Sequence, residues 1–239
     1  MTHSVPRPTA VSRLNLAKLT VAARPRTPWE GVDLGFSMAR EWFLPLWGLW
    51  WLGALPLNLL LVLLLGEASW LALLLSWWLK PLYEPPMLFW LSRALFGEQL
   101  PLRGLLRQWP AIVRPRLLAN LTWARLNPSR SFHMPVALLE GLAGKARHDR
   151  IAVLGRRQQA GFWLTFMGVH FELALELSCI VLLLMLLPEE LQWLDWRSLF
   201  LNPGSLEQWL QYAGDLLVMS LIAPFYVAGG FGLYLARRM

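Results

Sequence analysis

Two glutamates stand where charge is costly. Glu172 and Glu176 lie four residues apart inside AGFWLTFMGVHFELALELSCIVLLLMLL, residues 160–187. That stretch is long and apolar enough to cross a bilayer, which takes about 20 residues. A carboxylate at the centre of a membrane helix costs about 2.5–3.5 kcal/mol on insertion scales, so the rest of the fold has to compensate. The spacing puts both on one helical face with Thr165, Gly168 and Cys179. In the apolar stretch 208–235, Gln208, Gln211, Asp215, Tyr226 and Gly230 form a similar stripe. Lys80 and Glu84 interrupt a third apolar stretch. Lys80, Glu84, Glu172, Glu176 and Asp215 are therefore the candidate intramembrane polar cluster. One reading makes them a proton or ion relay, or the wall of a polar substrate cavity. The other makes them a buried cluster that fixes helix register.

Depth sorts these residues into pairs. With the inner boundary near Phe162, a rise of 1.5 Å per residue puts Glu172 about 15 Å in and Glu176 about 21 Å in. Counting from the outer side of a core about 30 Å thick, Lys80 falls about 12 Å and Asp215 about 20 Å from the inner surface. Lys80 should then meet Glu172 as a buried ion pair. Glu176 should lie level with Asp215, and two carboxyls in contact cannot both ionise. In the alternative, Lys80 snorkels to the inner interface and Glu84 is its only partner.

No other chemistry is legible. Gly141-Leu142-Ala143-Gly144-Lys145 faintly resembles a phosphate loop but has Leu139 and Ala146 at the wrong places and no preceding strand. His133, His148 and His170 lack metal-ligand spacing, and His170 reads as a packed or hydrogen-bonded core histidine. The single cysteine, Cys179, excludes an internal disulfide and a Cys-rich metal site. There is no Ser/His/Asp or Cys/His arrangement. The expectation is a protein without catalytic residues, metal or cofactor, and not an enzyme.

The elements that position the cluster follow from composition. The 239 residues are 56% hydrophobic and 15% charged, with 15 Trp, a balance that excludes an ordinary soluble domain and fits interfacial aromatic belts. The fold class is all-α, a polytopic transmembrane helical bundle with about four crossings. Residues 1–27 read as a basic cytosolic tail and 28–239 as one membrane domain. Thr27-Pro28-Trp29-Glu30 is a capping box with proline at the first helical position. The helix it starts should lie amphipathically at the interface and be broken by Pro45. The crossings are 44–66, with Pro56 kinking it, 68–97, broken at LKPLYEPP, then 160–187 and 208–235. A broken helix survives in a membrane only where protein or a wet cavity satisfies its freed backbone. The capping box Ser205-Leu206-Glu207-Gln208 should open the last crossing, and Ala228, Gly229, Gly230 and Gly232 should permit close packing.

Residues 98–157 are Arg-rich and proline-punctuated, with short apolar runs. They read as amphipathic helices on the cytosolic face, one starting at Met134-Pro135 and ending at Gly144. They serve either as a topology determinant or as a docking surface for anionic lipid or a partner protein through Arg103, Arg107, Arg114, Arg116, Arg125 and Arg130. The loop with Glu189, Glu190 and Asp195 is acidic, as is Glu67, so the positive-inside rule puts both termini in the cytosol. The net charge of +7 lies between apolar spans, which points to an inner-leaflet surface and away from nucleic acid.

The runs RPRTPWEGVDLGF at 24–36, SRALFG at 92–97, the segment 125–142 and PFYVAGGFGLYLARR at 224–238 resemble a class of uncharacterised bacterial membrane proteins similar to the membrane domain of glycerophosphodiester phosphodiesterases. The resemblance implies a bacterial inner-membrane location. It implies no activity, because the phosphodiesterase chemistry of that family belongs to a separate soluble domain. It also leaves room for this chain to be the membrane part of a longer protein. The functional expectation is an inner-membrane scaffold or accessory subunit engaging anionic membrane lipids, a protein partner or a second copy. The alternatives are a small transporter or channel component and, more weakly, a lipid-modifying enzyme.

Overall fold

Thr27 Oγ1 accepts the N–H of Glu30 at 3.3 Å, and Glu30 Oε2 accepts the N–H of Thr27 at 2.7 Å. This reciprocal cap opens α1 (Pro28–Glu41). The computed structural model describes residues 24–66, 68–98, 100–156, 159–186 and 205–238. The tail before Arg24, Glu67, the acidic loop after Leu186 and the side chains of the Ser205 cap lie outside the described residues.

The apolar face of α1, expected at the interface, is packed against another helix. It buries Gly31, Val32, Gly35, Met38 and Ala39 and packs along the end of α10 (Ser205–Arg238), its closest neighbour. A Cβ on Gly35 would stand 2.2 Å from the Ala228 carbonyl oxygen, and one on Gly232 would stand 2.2 Å from that of Gly31. Glycine on both helices is what lets the two backbones touch.

α2 (Phe43–Leu65) follows after a break at Trp42, not at Pro45. Pro45 falls in the first turn of α2, where a missing N–H deprives the helix of nothing. Pro56 is the interior proline. α2 runs antiparallel to α10: Trp47 Nε1 donates to Ser220 Oγ at 2.9 Å, and the Tyr212 hydroxyl donates to Asn58 Oδ1 at 2.5 Å.

The next stretch breaks where its prolines place the break. α3 (Ser69–Trp78) gives way to a 3-10 turn, Lys80–Leu82, and then to α4 (Glu84–Ala94). The carbonyls freed there are satisfied by protein. The Tyr83 hydroxyl donates to Ser76 O at 2.9 Å. Arg125 Nη2 donates to Trp77 O at 2.6 Å. Trp109 Nε1 donates to Leu82 O at 3.1 Å. Two of these donors come from the basic region, which is therefore stitched to the break.

That region forms α5 (Leu102–Val113), a 3-10 turn Arg114–Arg116, α6 (Leu117–Leu121), α7 (Arg130–Leu139) and α8 (Gly144–Leu154). α7 corrects the surface reading. It starts at Arg130, carries Pro135 in its interior, and buries Arg130, Ser131, Phe132, Pro135 and Val136 against α10, α9 and α4. Pro135 cannot bond back to the Ser131 carbonyl, and that oxygen lies against Gly230, where a Cβ would come within 2.5 Å. Gly141, at φ 62°, follows the end of α7, while Gly144 opens α8.

α9 (Ala160–Leu186) runs antiparallel to α10 and buries only Ala160, Gly161 and Leu164. The described residues are helical and contain no strand. Among the described residues, three helices are long and apolar enough to cross a membrane: Phe43–Leu65, Ala160–Leu186 and Glu207–Arg238. The α3–α4 segment supplies two shorter pieces around its break.

Candidate functional site

The 3-10 turn carries Lys80 to α9. Its Nζ lies 2.7 Å from Glu172 Oε1, with the two side chains 9% and 16% exposed. Glu84 is not its partner. Four residues on, at the start of α4, Glu84 pairs with Nη2 of Arg130 from α7, and both side chains are buried. The break thus directs one cation and one anion to different helices, and each finds its opposite. One α9 turn further on, the Glu176 carboxyl faces that of Asp215 on α10. Thr165 Oγ1 and the Tyr226 hydroxyl complete the seam at 3.2 Å.

The stripe on α9 is therefore polar along most of its length, with one exception. Cys179 is exposed and falls outside the seam. His170 is also exposed and is not a core residue. Its Nδ1 meets its own helix at Phe166 O, 2.8 Å away, and its ring lies over Phe166 with centroids 4.1 Å apart.

The six arginines expected on one docking surface divide. Arg103, Arg107 and Arg114 are exposed. Arg125 sits 3.9 Å above the Trp77 ring while holding the Trp77 carbonyl, and Arg130 is buried against Glu84. Arg125 is half-buried and Arg130 buried, because both close polar groups that the helix break opens. Arg116 turns to a cavity.

The cavity has a volume of about 630 Å³ and lies among the two 3-10 turns, the starts of α4 and α8, and α5, α6 and α7. Arg116, Arg130, Arg147 and His133 line it, with Asn120 and Asn127. Arg116 Nε, Arg147 Nε and Arg130 Nη1 are buried without a hydrogen-bond partner among the described residues. Burial, and then the charges of Arg147 and Arg116, push the His133 imidazole down to about 4. Burial and then Arg116 lower Arg147 to about 10. The turn Gly141–Gly144, which fails as a phosphate loop, forms the floor where α8 begins. His133 and Arg147 gave no signal in the sequence, since nothing in their spacing shows that α7 and α8 enclose a space. No group of three or more His, Cys, Asp or Glu suited to a metal is present among the described residues.

Fold and site define a helical membrane protein with a charged seam at its centre and a cationic cavity beside it. Comparison with protein-family models, with curated proteins and with solved structures gives no match.

Proposed function

We propose that the chain is a bacterial inner-membrane scaffold or accessory subunit whose basic side engages anionic lipid. Both termini are cytosolic in this reading, and α3–α4 serves as a fourth, broken crossing. The observation that carries it is the surface of α5 and its continuation. Exposed Leu102, Leu106 and Leu118 alternate with exposed Arg103, Arg107 and Arg114. Apolar side chains that enter the bilayer edge beside cations that meet its headgroups are the composition of an interfacial helix. Each basic residue near an anionic surface contributes about 1 kcal/mol. The likeness to the membrane domain of glycerophosphodiester phosphodiesterases belongs to this proposal and brings no catalysis with it. Reversal of Arg103, Arg107 and Arg114 to Glu should lower the anionic lipid that copurifies in detergent. Lipid content equal to that of the unaltered chain would sink the reading.

The facing carboxyls of Glu176 and Asp215 favour a second reading, a small transporter or channel component. Ionisable side chains that face each other inside a membrane helix pair are the element a proton relay needs. Proton flux into liposomes that is lost in Asp215→Asn would support it, and liposomes as tight as protein-free ones would end it.

A further inference from the structure

The cavity carries more positive charge than its own walls answer. Arg116 and Arg147 have no acidic partner among the described residues, and each keeps a buried Nε without an acceptor. Arg130 gives one nitrogen to Glu84 and keeps Nη1 free. α8 adds to the imbalance. Its N-terminus faces the cavity, has no side-chain cap, has no acid in its first turn, and carries Lys145 and Arg147 there. Cations at a helix start oppose the helix dipole, and uncapped N–H groups are an anion site. With Arg130 answered by Glu84, about two positive charges remain. A phosphomonoester carries about −1.5 to −2 at neutral pH, whereas a phosphodiester carries a single charge. Besides the polar His133, Asn120 and Asn127, the lining has an apolar wall that includes Ile112, Trp123, Met134 and Leu138.

We propose that this cavity is a binding site for the phosphomonoester head of a membrane amphiphile. Arg116, Arg147 and Arg130 hold the phosphate, the first turn of α8 donates to it, and the apolar wall takes the adjoining chain. The inference deepens the anionic-lipid reading of the basic side and rests on it, but it uses residues distinct from the α5 surface.

The test uses the full chain in detergent with three probes: dioctanoyl phosphatidate, dioctanoyl phosphatidylglycerol and inorganic phosphate. The unaltered protein should bind the phosphatidate at least about tenfold more tightly than the phosphatidylglycerol. Arg116→Gln and Arg147→Gln should each lose about tenfold for the phosphatidate, the effect of one charge-assisted hydrogen bond. Their affinity for the phosphatidylglycerol should stay nearly unchanged. Equal binding of the two lipids by the unaltered chain overturns the proposal, and that measurement needs no variant to fold. Inorganic phosphate binding as tightly as the phosphatidate overturns the lipid assignment. The Arg103, Arg107 and Arg114 reversal separates the two readings. It should reduce total anionic lipid and keep the preference for phosphatidate. Loss of the preference in that variant would place its source outside the cavity.

Discussion

Lys80 Nζ and Glu172 Oε1 are 2.7 Å apart, and each charge comes from a different kind of backbone. Glu172 sits on an unbroken helix. Lys80 sits on a 3-10 turn whose tightened geometry lets its side chain leave the line of α3. The pair couples the position of α9 to the break in α3–α4.

Lys80→Glu and Glu172→Lys should each lower the yield of folded protein. Removing one partner of a buried pair costs about 3–5 kcal/mol, because it strands the other charge. The double exchange should recover part of the yield, since contacting residues couple by about 0.5–3 kcal/mol. Fluorescence size-exclusion of the four proteins measures it. A double variant no better than either single would separate the two residues energetically.

Gly35→Leu should disrupt the α1–α10 contact. Even its first carbon would stand 2.2 Å from the Ala228 oxygen and 2.5 Å from Gly229 Cα, and backbone cannot move aside as a side-chain end can. Gly48→Ala is the control. Nothing lies within 4 Å of the added carbon, and replacing a helical glycine by alanine stabilises by about 0.5–1 kcal/mol. Thermal melts in detergent should move in opposite directions for the two.

Arg125→Lys should behave as a loss. The guanidinium both donates to Trp77 O and sits over the Trp77 ring, and an ammonium lacks the planar fork that does both. A hydrogen bond to a charged donor is worth about 1.5–3 kcal/mol. The melting temperature should fall for Arg125→Lys nearly as far as for Arg125→Ala. A melt for Arg125→Lys identical to that of the unaltered chain would show that Trp77 O needs no partner.

His133 sets a pH dependence. Its folded value is about 4 against an ordinary 6.5, lowered by burial and by Arg147 and Arg116. Between those values the unfolded chain binds a proton that the folded chain does not. Stability should therefore be complete above pH 6.5 and decline as pH falls towards about 4. His133→Gln should flatten that window in a melt series. A series that declines equally in both proteins would place the effect elsewhere.

The charged seam was legible because depth is a one-dimensional quantity. Counting residues along α3, α9 and α10 is enough to bring Lys80 to Glu172 and Asp215 to Glu176, and the proline cluster at 81–86 marks the break. Neighbours across the bundle are another matter. Arg130 looks like any surface arginine in its local sequence, and only the fold reveals that it faces Glu84. Pro135 reads as a helix start because prolines usually are. Here Gly230, on a helix distant in the chain, makes room for the carbonyl that Pro135 leaves unbonded. α1 shows the same limit. Its apolar face is evident in the sequence, but Gly31 and Gly35 indicate a helix partner only when Gly229 and Gly232 are seen against them. The cavity was invisible for the same reason, since its walls come from many separate elements.

α9 shares little apolar surface with its neighbours, and inside a bilayer it has small reason to, since lipid tails solvate leucine as well as another helix does. Its rotation is set by Thr165, Glu172 and Glu176. Advancing the helix by one residue turns it by more than a quarter of a revolution and would swing both glutamates into hydrocarbon. The helix therefore works as a key whose few polar teeth fix its angle, while the outward blade carries no information. Leu173, Leu177, Val181 and Leu182 are exposed and can exchange freely among apolar residues without moving the lock.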